Sequence, residues 1–157
     1  MTKTSESVWD YPRPPRVEAS TEHVVVQFDG IVIADTRTSF RVLETSHPPT
    51  YYIPRSAFLP GVLQPGRERS VCEFKGVARY FDVVGASTRS PATAWDYPDP
   101  QPGFAQLRDH VAVYPARMDE CTVDGEVVVR QDGDFYGGWI TVRVTGPFKG
   151  APGTLGW

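Results

Sequence analysis

The chain has 157 residues, 40% hydrophobic and 22% charged, which is the size and composition of one globular domain with a single core. Its formal net charge is −3 and its Lys and Arg residues are scattered, so the basic patch that a nucleic-acid partner needs is missing. The sequence has no signal-peptide core and no run of eighteen apolar residues, and we therefore expect a cytoplasmic protein without membrane contact.

The frequent proline and glycine residues, 15 and 14 in number, favour short strands broken by turns. The two cysteines, Cys72 and Cys121, do not form a Cys-x-x-Cys pair, and the three histidines lack metal-ligand spacing. We therefore expect no metal and no cofactor.

The first element is an aromatic and proline-rich segment, residues 1–16, that contains the stretch VWDYPRP. Segments of this composition are ordinarily frayed, but large rings gain about 25 cal/mol for each Å² of apolar area that they bury. We predict that this segment packs on the domain as a cover. We also predict that the last residues, which end in Trp157, pack on the domain.

The next stretch, HVVVQFDGIVIAD, predicts a β-hairpin, because Asp29 and Gly30 suit the two positive-φ positions of a type I′ turn. Such a turn pairs Phe28 with Ile31 and Val26 with Ile33. Side-chain alternation then assigns five residues to one core face: Val24, Val26, Phe28, Ile31 and Ile33.

Further strands are predicted by β-branched and aromatic runs at 40–45, 71–74, 77–84, 110–114 and 139–145. A second hairpin turn at Asp124-Gly125 puts Cys121 in the core as a small apolar residue. Short helices are predicted only after Pro54 and after Pro102. Many short strands and few helices indicate one all-β domain at 17–157, an antiparallel barrel or sandwich.

Glu44 is a candidate catalytic residue because alternation from Phe40 and Val42 places its carboxylate on the interior face of its strand. Arg41 and Leu43 then point to the opposite face. One interpretation of Glu44 is a buried general acid or base whose pKa is raised by desolvation. The other is a carboxylate at a strand end that is solvated or paired with an arginine.

Cys72 and Lys75 are a second candidate, as a thiolate or amine nucleophile. Strict alternation would place them on opposite faces unless Gly76 marks a bulge that changes the phase of the strand. The other interpretation of Cys72 is a small buried residue. His47 precedes Pro48 in an extended or turn segment, and a lone histidine in such a segment is more often a surface residue than a ligand.

Aromatic residues supply candidate pocket walls. Tyr51 and Tyr52 are adjacent on a strand, so only one of them can line a given pocket. The stretch Trp-Asp-Tyr-Pro occurs twice, from Trp9 and from Trp95. We interpret the later copy, Trp95 and Tyr97, as pocket wall and the earlier one as a packed cover; alternatively, both copies seal sheet edges.

Five stretches together resemble the bacterial family catalogued as domain of unknown function 427: YYIP, CEFKGVARYF, AWDYPDP, VAVYP and FYGGWITVRVTGPFKGAPGTLGW. The resemblance extends from about residue 17 to residue 157. It implies a small all-β domain of the Mss4-like β-tent shape, without paired zinc-binding Cys-x-x-Cys motifs. The label nucleotidyltransferase is attached to the family, but the chain has no nucleotide loop or metal-binding aspartate pair.

The family pattern matches ten positions of this chain: Glu44, Tyr52, Pro54, Cys72, Lys75, Gly76, Tyr80, Trp95, Tyr97 and Pro100. Where the family commonly has Pro-Tyr or Pro-Trp, this chain has Glu73 and Phe74. A role for Cys72 is therefore less directly implied than one for Lys75.

The leading functional hypothesis is a small-molecule enzyme, acid–base or isomerase-like, with its pocket at one barrel opening. The predicted catalytic residues are Glu44, Lys75 and Cys72, and the predicted substrate-binding residues are Tyr52, Tyr80, Trp95, Tyr97 and Arg41. The alternatives are a non-catalytic module that binds a metabolite or a peptide, and a structural homo-oligomer such as a dimer with buried aromatic segments. The enzyme requires Glu44 and Lys75 to face one cavity.

Overall fold

The computed structural model describes residues 5–133 and 135–157, in which strands dominate. The strands are β1 (Glu6–Ser7), β2 (Arg16–Ala19), β3 (Val24–Phe28), β4 (Ile31–Thr36), β5 (Phe40–Leu43), β6 (Thr50–Pro54), β7 (Leu63–Cys72), β8 (Gly76–Val84), β9 (Arg89–Asp96), β10 (His110–Val113), β11 (Glu120–Val123), β12 (Glu126–Val127), β13 (Val129–Arg130), β14 (Trp139–Ile140) and β15 (Val144–Thr145). Short 3-10 helices cover Val8–Asp10, Arg55–Ala57, Pro102–Leu107 and Pro115–Arg117. None of the helices in this described part could cross a membrane.

The strands form two main antiparallel sheets. The larger has seven strands in the order β2-β5-β6-β10-β9-β8-β7, and the smaller has four in the order β12-β11-β3-β4. Two further pairs are small: β13 with β14, antiparallel, and β1 with β15, parallel. The parallel pair joins the N-terminal segment to the C-terminal one.

The main core fills the space between these two sheets. The small sheet contributes Val24 and Val26, and the large sheet contributes Ile53, Phe81 and Val113. The prediction of an antiparallel all-β fold is confirmed. Within the described residues the large sheet keeps β2 and β7 as free edges, so the sheets pack as a sandwich or tent and do not close into a barrel.

Both predicted hairpin turns are present, with positive φ at Asp29, Gly30, Asp124 and Gly125. The pairing in the first hairpin differs from the prediction, because a bulge after Val26 places it opposite Ala34 and not Ile33. Ile31 does pair with Phe28, but it lies beside the turn at the end of the sheet and is 38% exposed. The assignment of Ile31 to the core was therefore wrong.

Two other strand predictions differ from the structure, and the strand β9 was not predicted. The predicted strand 139–145 is divided into β14 and β15 by a turn that leaves Val142 80% exposed, because the two halves pair with different partners. Strand β7 begins at Leu63 and ends at Cys72, and thus before the predicted end at residue 74. Strand β9 was missed, since Pro91 and small residues interrupt its β-strand signal.

The helix predictions correspond to short 3-10 segments. The first, Arg55–Ala57, follows Pro54, and the second, Pro102–Leu107, begins at the predicted proline. Neither is long enough to form a layer of the fold, in agreement with the sequence.

Arg41 is the centre of a charged network between the N-terminal and C-terminal segments. Its guanidinium is fully buried and binds the carboxylates of Glu6 and Glu18. Arg143, beside β15, binds Glu6 at 3.1 Å and Glu22 at 3.0 Å. The network therefore neutralises a buried charge while it joins distant parts of the chain.

Removal of the Arg41 charge should destabilise the protein strongly, because the partly buried carboxylates of Glu6 and Glu18 would lose their shared cation. We expect Arg41→Met to lower the free energy of unfolding by about 3 kcal/mol or more. Arg16→Met, which removes an exposed partner of Glu18, should cost less than about 1 kcal/mol. Urea denaturation of both variants measures the difference, and similar losses in the two would contradict the role given to Arg41.

The two cysteines should differ in reactivity. Cys121 is 2% exposed in the core, and burial, together with Glu120, raises the pKa of its thiol to about 12. Cys72 is only partly buried. A disulfide reagent should therefore titrate one thiol in the native protein and two after unfolding, and Cys72→Ser should remove the native one; a fast-reacting native thiol in Cys72→Ser would contradict this.

Candidate functional site

The outer face of the seven-stranded sheet carries a second cluster of large side chains. Along β6, Tyr51 points into the core between the sheets while Tyr52 points outward; along β8, Phe81 and Tyr80 divide in the same way. This follows from the alternation of side chains along a strand. The same short sequences therefore build the core on one face and a cavity wall on the other.

A cavity of about 350 Å³ lies against this outer face. It is lined by seven of the eight predicted site residues, Glu44, Tyr52, Cys72, Lys75, Tyr80, Trp95 and Tyr97, and by others that include His47, Thr50, Glu73, Tyr114, Gln131, Tyr136 and Lys149. Its size suits a small organic molecule. The cavity lies on a sheet face and not at the opening of a barrel.

Trp95 is the central ring of the cavity wall. Its ring centroid lies 4.6 Å from that of Tyr114, 6.4 Å from that of Tyr80 and 6.5 Å from that of Tyr52. The indole N–H donates to the hydroxyl of Tyr52 at 3.3 Å. These contacts hold the rings in fixed positions, since each ring is packed on at least one other.

Glu44 lies one residue after β5, with its side chain largely buried and its carboxylate in an ion pair. Its Oε2 atom is 3.3 Å from the Arg13 guanidinium and 3.8 Å from Nε2 of His47. Arg13 also donates to the carbonyl oxygens of Thr45 and Trp157. Each interpretation of Glu44 is therefore correct in part. The carboxylate faces a cavity, as a catalytic group would, and it is also paired with an arginine.

His47 is a cavity residue that the sequence analysis treated as a surface position. Gln131 holds it: the side-chain amide N–H groups of Gln131 donate to Nδ1 of His47 at 3.3 Å and to the carbonyl of Lys149 at 2.7 Å. Gly138 N–H donates to the amide oxygen of Gln131, which sets the orientation of the amide. In neutral His47 the proton is therefore on Nε2, the atom nearest Glu44.

Burial lowers the pKa of His47 to about 4, although the charge of Glu44 acts in the opposite direction. The cations Lys149, Arg13 and Lys75 lower it further. His47 is therefore neutral at pH 7 and presents an N–H donor to the cavity. The spacing Glu44-x-x-His47 across a turn was the sequence signal that could have identified this pair.

Cys72 and Lys75 come together through a tight hairpin turn and not through a bulge. Residues 73–75 connect β7 to β8, and Cys72 pairs with Gly76. Gly76 has φ of +115°, and a Cβ there would lie 3.3 Å from the Asp99 carbonyl, so the turn requires glycine. Cys72 and Lys75 both line the cavity, and the thiol interacts electrostatically with the ammonium.

Lys75 is buried with 9% exposure, and its ammonium lies over the rings of Tyr97, at 5.8 Å, and Phe104, at 6.0 Å. Burial lowers the pKa of Lys75, but Tyr52, Cys72 and Glu44 raise it more, and the net shift is upward. The side chain is therefore a cation at neutral pH, which suits charge stabilisation better than attack as a free amine.

Arg41, predicted to bind substrate, does not line the cavity. Its side chain leaves β5 on the face opposite Val42 and is held by Glu6 and Glu18. No group of three or more His, Cys, Asp or Glu side chains in residues 5–133 and 135–157 is arranged to hold a metal ion.

Comparison with known proteins identifies one family model, described as a domain of unknown function (DUF427), that matches residues 16–124. The match includes Glu44, His47, Cys72 and Lys75, while Gln131 lies beyond it. No curated protein matches the chain.

The pKa of His47 predicts a pH dependence of stability. The unfolded chain protonates this histidine near its ordinary pKa of 6.5, whereas the folded protein does so only near pH 4. Between these values the unfolded state binds more protons, so the contribution of His47 is fully present above about pH 6.5 and is lost as the pH falls toward 4.

Thermal unfolding between pH 7 and pH 4 should therefore show a smaller acid-induced loss of stability in His47→Gln than in the wild type. Glutamine does not titrate, and its oxygen can accept the Gln131 hydrogen bond. His110→Gln, at a position outside the cavity, is the matched control and should keep the wild-type dependence. Parallel curves for wild type and His47→Gln would show that His47 is not held neutral.

Proposed function

This chain belongs to the DUF427 family, and we propose that its cavity is the active site of a small-molecule enzyme that works by general acid–base catalysis. One observation carries the proposal: the carboxylate of Glu44 and the ammonium of Lys75 line the same aromatic-walled cavity. A proton acceptor and a fixed positive charge on one small cavity are the minimum that proton abstraction beside a carbonyl requires.

Glu44 is the proposed base. Its carboxylate takes a proton from a carbon of the substrate, and the electron pair of that C–H bond moves toward the adjacent carbonyl oxygen. Where the substrate has a β,γ double bond, return of the proton to the γ carbon gives the conjugated isomer, and atoms and electrons balance without a further reactant. The Nε2–H group of His47, 3.8 Å from Glu44, donates to the substrate or to a water molecule between them.

Lys75 is the proposed electrostatic partner. Its ammonium is positioned by Cys72 and by the face of Tyr97, and it stabilises the negative charge that develops on the substrate oxygen. Tyr80, Trp95 and Tyr97 form walls that exclude water and strengthen this interaction. Cys72, predicted as a catalytic nucleophile, acts in this proposal as a positioning residue for Lys75.

Proton transfer can be tested before the natural substrate is known. The wild-type protein, incubated in D₂O with a mixture of small ketones, aldehydes and unsaturated acids, should exchange C–H protons of at least one compound, which NMR detects as loss of a proton signal. Glu44→Gln should slow this exchange by about 100-fold or more, because it removes the base and keeps the shape of the side chain.

Glu73→Gln is the matched control for this experiment, since Glu73 is an exposed carboxylate on the cavity rim that has no role in the proposed chemistry. It should exchange at the wild-type rate. Exchange that survives in Glu44→Gln would contradict the role of Glu44. Binding of compounds without exchange in the wild type would contradict catalysis and favour a non-catalytic metabolite-binding module.

A further inference from the structure

We infer that the ligand of this cavity is a small planar carboxylate, with its charged group on Lys75 and Tyr52 and its flat body against Trp95 and Tyr97. The inference rests on the proposed function for its choice of cavity, and it adds the substrate class. It follows from three features: a buried cation without a carboxylate at ion-pair distance, a phenol that can donate its proton, and packed rings around both.

The Lys75 ammonium has no described carboxylate as an ion-pair partner. It is more than nine-tenths buried, and none of the described carboxylates lies within ion-pair distance of it. Its neighbours are a thiol, a phenol and two ring faces, and Glu44 acts on it only from beyond ion-pair distance, so none of these groups replaces a paired anion. A buried charge is costly unless it is paired, so this position is suited to a ligand that brings the negative charge.

The hydroxyl of Tyr52 supplies a second contact for the same anion. Tyr52 is 2% exposed, and its hydroxyl accepts a hydrogen bond from Trp95 and interacts electrostatically with Lys75. Tyr97 interacts with the same hydroxyl as a second donor, and a hydroxyl that accepts from Trp95 and Tyr97 keeps its own O–H proton for a ligand oxygen. An ammonium and a hydroxyl side by side fit the two oxygens of a carboxylate.

The charge on the cavity surface favours an anion of single charge. Arg13 is already paired with Glu44, and the remaining cation, Lys149, lies less deeply, with its ammonium 5.8 Å from the ring centroid of Tyr136. Glu73 on the rim opposes a second negative charge. One buried cation therefore matches a carboxylate better than a phosphate dianion.

The ring arrangement favours a planar ligand. Trp95 and Tyr97 both lie within 6.5 Å of the Tyr52 ring, centroid to centroid, and all three rings line the cavity. Aromatic and conjugated molecules gain from such contacts beyond the area that they bury. A saturated acid of equal charge would lose this part of the interaction.

Calorimetric titration with four probes tests the inference. Benzoate carries charge and planarity, benzamide keeps the shape without the charge, cyclohexanecarboxylate keeps the charge without the planarity, and phenyl phosphate replaces the carboxylate. Benzoate should bind the wild-type protein with Kd of about 1 mM or below and at least about tenfold more tightly than each of the others.

Variants locate the binding site. Lys75→Met, which keeps the length of the side chain, should remove the preference for benzoate over benzamide, and Tyr52→Phe should reduce it by about threefold to tenfold. Lys149→Met is the matched control for a lysine on the same cavity and should retain the preference. Circular dichroism verifies that each variant is folded; if Lys75→Met does not fold, Lys75→Arg, which keeps the charge, should retain the preference.

The outcomes separate this inference from the proposed function. Equal binding of benzoate and benzamide, tighter binding of phenyl phosphate, no binding of benzoate, or a preference that survives in Lys75→Met would each overturn the substrate class. These results leave the exchange experiment on Glu44 unaffected. A benzoate preference that depends on Lys75, together with no proton exchange, would support the ligand class and contradict the enzyme.

Discussion

Successive residues of a strand point to opposite faces of its sheet, and this protein uses both faces of its large sheet. Tyr51 and Phe81 pack against the small sheet, while their neighbours Tyr52 and Tyr80 form a cavity wall. A shift of one residue in register would exchange core and cavity residues, so the core fixes the register of the site. The position of the cavity therefore depends on the packing of the sandwich.

The protein contains two kinds of buried cation, and they have opposite consequences. Arg41 is surrounded by carboxylates and joins the N-terminal segment to the sheet, which makes it a stabilising group. Lys75 is almost as buried, but its partners are a thiol, a phenol and ring faces. The cost of burying the Arg41 charge is offset by carboxylates of the protein itself. For Lys75, a bound anionic ligand can offset the remaining cost.

Segments from both ends of the chain complete the cavity. Arg13 from the N-terminal segment holds Glu44, and Gln131, beyond the region matched by the family model, orients His47. The pairing of β1 with β15 brings these two ends together. Proline-rich segments with weak strand patterns thus have a defined task, because they orient the polar groups that face the sheet.

The all-β class, both hairpin turns and the fact that only one of Tyr51 and Tyr52 can line the cavity follow from the sequence, since these depend on local backbone preferences and period-two alternation. The sequence also singled out Glu44, Lys75 and Cys72. Tertiary structure alone decided that Arg41 is structural, that His47 belongs beside Glu44, and that the sheets stay open. Each of these depends on contacts between residues distant in the chain, such as Arg41 with Glu6 and His47 with Gln131, which no local pattern encodes.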